Sequence, residues 1–184
     1  MLTSPEIRVA QHFVTSGRTE YLTPRYILEA VGPFDLDPCA SVVRPWPTAT
    51  RHYTIENDGL VQPWDGLCWV NPPFGKAEAA FVRKLATHPA GGILLGCPSK
   101  TETRTWQIAI FPHCSGILFL TPRLKFHNTD GSAMSGTFGA SCLVAFGDVA
   151  LERLRTAARL GPGRVGGLGG YVVILDDQVE GGSA

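Results

Sequence analysis

The chain of 184 residues carries no net charge, because sixteen lysines and arginines are matched by sixteen aspartates and glutamates. No global positive field announces a polyanionic partner, so any such contact has to come from a local patch. Long apolar runs are also missing. Residues 92–96 and 116–120 are among the longest, far short of the ~20 residues a membrane-crossing helix needs. No basic start followed by an apolar stretch and a small-residue cleavage site is present, so the expectation is a soluble, cytoplasmic protein with no secretory signal. Cys39, Cys68, Cys97, Cys114 and Cys142 are odd in number and contain no Cys-x-x-Cys pair, a pattern of reduced, buried thiols rather than a disulfide framework. The five histidines are equally scattered, without the ligand spacing of a structural zinc site, and no metal is expected. No internal repeat breaks the chain into units.

With 44% apolar residues, the chain suffices for one continuous core. Residues 1–20 have no sustained apolar period and read as an N-terminal arm, leaving 21–184 as one domain. Thr23 reads as an N-cap with Pro24 at the first helical position, followed by Ile27, Leu28 and Val31 on one face and a stop at Gly32-Pro33. Short strands are expected at 34–37 and 68–71, each ending at proline, which cannot donate to a ladder. Ala77, Phe81, Val82 and Leu85 share a helical face, and 92–96 is a candidate buried strand. Ser99 and Glu102 suggest a capping box for a helix carrying Trp106, Ala109 and Ile110. Strands at 116–120, 142–146 and 171–175 and a helix carrying Leu151, Leu154 and Ala158 complete the pattern. Continuous apolar strands alternating with amphipathic helices predict an α/β domain with a mainly parallel central sheet and helices on both faces. Ligands of such sheets bind beyond the carboxyl ends of the strands, where both proline loops emerge. Residues 127–141 read as a binding loop and 161–170 as a glycine-rich connection.

The most informative string is Asn71-Pro72-Pro73-Phe74. A bare strand stop would explain the prolines but not the quartet. An amide, a stiff backbone carbonyl and an aromatic ring in one short loop supply two hydrogen-bond acceptors and a stacking surface. Those are the parts needed to hold an aromatic amine. Its nitrogen is a poor nucleophile, because its lone pair is delocalised into the ring. If the Asn71 side-chain oxygen and the Pro72 carbonyl each accept one amino hydrogen, the nitrogen is drawn toward tetrahedral geometry and the lone pair is released. Acceptors fixed beforehand cost no reorganisation in the transition state.

With these residues the chain resembles the phage-type DNA N6-adenine methyltransferases, a branch of the Rossmann-like methyltransferase superfamily. The resemblance spans roughly residues 21–147. It rests on Tyr21-Leu22-Thr23-Pro24, Phe34 to Ser41, Asn57-Asp58-Gly59-Leu60, Trp69 to Phe74, Pro98 to Trp106 and Arg123 to Phe126, in the family's order. It implies a Rossmann-like methyltransferase fold, S-adenosyl-L-methionine as methyl donor, DNA as partner, and a flipped-out adenine as acceptor. Asn71, Pro72, Pro73 and Phe74 are then the catalytic loop, with Phe74 stacked on the extruded base. Thr23 and Pro24 lie beside the methionine end of the donor. Asp37, Pro38, Cys39, Ala40 and Ser41 form the loop on which the donor rests, and Asp58 sits near its adenosine end. The glycine-rich donor loop of the wider superfamily is replaced by Pro38-Cys39-Ala40-Ser41, so close backbone approach falls to small residues.

Between Cys97 and His127 the formal charges are Lys100, Arg104, Arg123 and Lys125 against Glu102. This local excess is the candidate phosphate-contacting patch. About thirty residues separate Asp37-Pro38 from the strand before Asn71, too few for two full crossover units; trimmed helices are expected there. No room remains for a separate target-recognition domain of typical size. Three other activities fit the same loop or fold: methylation of a protein glutamine side chain, methylation of the cytosine amine, and nucleic-acid binding without catalysis.

Overall fold

The computed structural model describes residues 20–136 and 139–175. All but the last residue of the arm expected at 1–20 lies outside the described residues. Seven strands form one sheet: β1 (Leu36–Asp37), β2 (Arg51–His52), β3 (Cys68–Val70), β4 (Gly92–Gly96), β5 (Gly116–Leu120), β6 (Cys142–Phe146) and β7 (Gly170–Ile174), in the spatial order β2-β1-β3-β4-β6-β5-β7. Among the described residues, three α-helices flank it: α1 (Arg25–Val31), α2 (Glu78–Ala86) and α3 (Asp148–Leu160).

Alternation along each strand sends side chains to two separate cores. Trp69, Ile93, Leu95, Leu118, Leu143 and Ala145 face one way, against Ile27, Leu28 and Val31 of α1 and Ala150, Leu151, Leu154 and Ala157 of α3. Cys68, Val70, Leu94, Ile117, Cys142, Val144 and Phe146 face the other way, against Phe81, Val82 and Leu85 of α2 and against Trp106, Ala109 and Ile110. Burial on both faces explains why these strands read as unbroken apolar runs. The five cysteines are free thiols, and burial pushes Cys68 and Cys142 up to about 12.

The expected α/β class holds, but the sheet is mixed rather than mainly parallel. Strand β1 pairs parallel with β2 and β3, and β3 with β4. Strand β6 pairs antiparallel with β4 and β5, and β5 with β7. The antiparallel ladders are the longer ones. Apolar continuity reports burial of both faces and is silent on direction. Direction is set by the connection, and among the described residues of 121–141 there is no helix to carry the chain back across the sheet. The chain leaving β5 therefore turns and runs back as β6.

Two helix starts also differ from expectation. Pro24 itself occupies the N-cap of α1, with Ile27 N–H donating to Pro24 O at 3.0 Å. Thr23 lies one residue too early to cap, and its hydroxyl is used elsewhere. No capping box forms at Ser99 and Glu102, because Pro98–Lys100 is a 3-10 turn and the Ser99 hydroxyl sits 3.0 Å from Cys97 Sγ. Trp106–Ile110 then makes a single π-helical turn, with Phe111 N–H reaching back to Trp106 O at 2.9 Å. The segment between Asp37 and Cys68 contains strand β2 and no helix, in line with the short spacing there. Among the described residues, no helix is long and apolar enough to cross a membrane.

Candidate active site

Strand β1 has β2 on one side and β3 on the other, so the chain steps out to β2 and then back across β1 to β3. Open α/β sheets hold their ligands in a crevice at the carboxyl ends of strands placed in this way. Loop 38–41 leaves the end of β1 and loop 71–74 leaves the end of β3, one on each flank of that crevice.

Asn71 is half-buried and its amide Nδ2 donates to Thr23 Oγ1 at 3.3 Å. Thr23, only 2% exposed, therefore turns its hydroxyl toward the loop instead of toward the helix it precedes. With the nitrogen of the amide committed, Asn71 Oδ1 is the end left to accept. No described residue donates to it or to the Pro72 carbonyl. Pro72 is buried and Pro73 half-buried, which fixes the loop, while Phe74 is 53% exposed and presents its ring outward.

On the opposite flank, Asp37 is buried. It accepts the Cys39 backbone N–H at 3.0 Å and the Thr48 hydroxyl, which shapes loop 38–41 around a carboxylate. Burial pushes that carboxyl up to about 6, against those hydrogen bonds and the charge of Arg44. Burial and the Asp37 charge raise the Cys39 thiol well above its ordinary value, although the Asn71 backbone favours its thiolate. Cys39 thus joins the two loops. Ala40 is buried, and Ser41 donates to Val43 O at 2.7 Å and to Glu20. Pro24, buried at the head of α1, follows Thr23, the residue to which Asn71 donates. Asp58 belongs to the same neighbourhood. The next residue, Gly59, lies so close to Pro38 that a β-carbon there would come within 1.8 Å of the Pro38 oxygen. One carboxylate oxygen of Asp58 accepts the Leu60 N–H at 3.1 Å.

The four basic candidates separate into two kinds. Lys100 is paired with Glu78 at 2.8 Å and lies 5.5 Å from the Phe74 ring centroid. It braces the catalytic-loop candidate as an internal tie. Arg104, Arg123 and Lys125 are exposed and have no ion-pair partner among the described residues.

Sequence reasoning missed Trp46 and His127. Trp46 Nε1 donates to Thr23 O at 3.2 Å, and its ring meets the His127 ring edge-on at 5.2 Å. His127 exchanges backbone hydrogen bonds with Leu22, and its Nδ1 is a buried atom without a partner among the described residues. These contacts tie the chain before Thr23 to the segment after β5. Their separation of about a hundred residues leaves no local signal. Among the described residues, no cluster of His, Cys, Asp and Glu side chains could hold a metal ion. No protein-family model, curated protein or solved structure matches this chain.

Proposed function

We propose that the chain is an S-adenosyl-L-methionine-dependent DNA methyltransferase with a Rossmann-like methyltransferase fold, acting on the N6 amine of a flipped-out adenine. The observation that carries the reading is the Asn71 amide. Its nitrogen donates to Thr23, which leaves its oxygen as the acceptor end, next in the chain to the Pro72 carbonyl. Two further features support a donor there: loop 38–41 offers small side chains, and one Asp58 oxygen has no hydrogen-bond partner among the described residues. The donor supplies an electrophilic methyl on a sulfonium.

The chain's own residues do the remainder. Asn71 Oδ1 and Pro72 O each accept a hydrogen bond from one amine hydrogen and draw out the nitrogen lone pair, and the single proton that the methylated amine sheds passes to solvent. Those acceptors are fixed before the reaction, so positive charge building on the amine meets oriented dipoles. Thr23 holds the Asn71 amide in that orientation. Phe74 offers a face for the extruded ring, and base stacking of this kind contributes about 1–3 kcal/mol. Arg104, Arg123 and Lys125 are free for phosphates, whereas Lys100 keeps Phe74 in place.

Incubation with unmethylated DNA and labelled donor, followed by digestion to nucleosides, is expected to place the label on N6-methyl-2′-deoxyadenosine. Label on cytosine, on protein glutamine or nowhere overturns the assignment. Asn71→Ala removes one pre-aimed acceptor and should lower methyl transfer by at least about 10²–10³-fold with donor affinity unchanged.

A further inference from the structure

The turn at 57–62 carries more side-chain hydrogen bonds than a surface turn requires. Asp58 is the one non-glycine residue with positive φ among the described residues, at +50°. Aspartate tolerates this left-handed geometry better than most residues, yet it persists only where the surroundings fix it. Here the surroundings come from distant parts of the chain. Lys84 Nζ, on α2, donates to the carbonyls of Gly59 at 3.4 Å, Leu60 at 2.8 Å and Gln62 at 2.6 Å. Trp64 Nε1 donates to Gly59 O at 2.7 Å, and the Lys84 ammonium lies 5.0 Å from the Trp64 ring centroid. No carboxylate pairs with Lys84 among the described residues. An ammonium has three hydrogens to donate, and all three are committed to this one turn.

The turn is also pressed against the crevice. Gly59 packs on the Pro38 carbonyl so closely that no side chain fits between them. Lys84 therefore grips the turn on one side while loop 38–41 bounds it on the other. Burial lowers the Lys84 pKa against the opposing pull of Asp58, as expected for a cation held by neutral carbonyls. Helix α2 begins at Glu78, four residues after Phe74. One rigid element thus follows the acceptor loop and grips the turn on the donor side.

We infer that Lys84 is a positioning residue for the donor's adenosine end, fixing the turn that presents Asp58 beside loop 38–41. This rests on the donor-binding reading given above. Lys84→Met keeps the aliphatic stem over Trp64 and deletes the three donors. Calorimetry with S-adenosylmethionine and S-adenosylhomocysteine, together with steady-state methylation, is expected to show donor Kd and KM raised roughly tenfold or more, the ratio for losing a charge-assisted hydrogen bond. The kcat at saturating donor should stay within about twofold, which separates positioning from general damage. Lys84→Arg, whose fork can also donate to carbonyls, should restore part of the affinity.

A folded Lys84→Met protein with unchanged donor Kd overturns the assignment, as does a fall in kcat with KM constant. Wild-type protein that binds neither nucleoside removes the donor-binding reading, and Lys84's role with it. Normal wild-type binding matched by the variant removes Lys84 alone. If Lys84→Met does not fold, Trp64→Phe deletes the indole bond to Gly59 while keeping an aromatic ring beside Lys84. Donor KM should then rise with kcat kept, and an unmoved KM counts against the proposal in the same way.

Discussion

Strands β1, β2 and β3 have two, two and three residues, whereas β5, β6 and β7 have five each. The candidate loops 38–41 and 71–74 both leave short strands. Where the ladder is short, side chains take its place. Asp35 accepts the Leu67 N–H at 2.7 Å, His52 Nε2 accepts the backbone N–H groups of Thr48 and Ala49 at 3.2 Å, and His88 Nε2 contacts Gly66 O at 2.8 Å. Lys84 and Trp64 add their bonds to the 57–62 turn. The antiparallel half instead has continuous registers and a dry interior of Leu118, Leu143, Val144 and Ala145. Chain freed from the ladder is what gives a site its loops, and polar side chains keep those loops from wandering.

This contrast can be broken. The largest expected effect is on stability: Leu143→Ala empties a fully buried position in the antiparallel half and should cost about 2–5 kcal/mol. Urea unfolding measures it, and donor affinity well below the transition should not change. A weakened donor site in this variant would mean that the halves are not divided as described.

Next comes Asp37, whose carboxyl is held at about 6 against an ordinary 3.8. The folded chain keeps this proton to higher pH than the unfolded chain does. Its contribution therefore favours folding below about pH 4 and is lost as pH climbs through about 6, a change of about 3 kcal/mol. Asp37→Asn still offers an acceptor to Cys39 N–H and removes the titration. Stability measured from acid to neutral pH should fall in the wild type relative to the variant, and parallel profiles would refute the claim.

The smallest effect is expected for Thr23→Val, nearly isosteric, which frees the Asn71 amide. Turnover should drop roughly tenfold through lost orientation, with only about 1 kcal/mol of stability lost. Unchanged turnover would detach Thr23 from the site.

The stretch from β3 through α2 to β4 was legible in the sequence, because a short apolar run, a proline stop, a helical apolar face and a second apolar run follow one another there. Strand β2 was not. Arg51 is exposed and His52 half-buried, and the strand exists because its backbone pairs with β1, which leaves no apolar trace. Thr23 and Ser99 carried the local marks of helix caps, but a hydroxyl bonds to whatever approaches it. Asn71 arrives from 48 residues away, and the Cys97 sulfur sits two residues before Ser99. The quartet 71–74 and the loop 38–41 could be named as strings, while the crevice between them depends on strand order. Lys100 illustrates the limit in charge terms. The local excess was visible, but its neutralisation by Glu78, 22 residues earlier, was not.

Strands β5 and β6 are antiparallel neighbours, so the chain between them leaves and re-enters at the same end of the sheet. That end is shared with the crevice, because β5 runs parallel to β4 two places away. Leu124 and Phe126 anchor the departure in the core, His127 clasps Leu22, and Ser141 is buried at the return. Residues 128–136 supply no rung of the seven-stranded sheet, so exchanging side chains there alters what this end of the sheet presents while its registers stay intact.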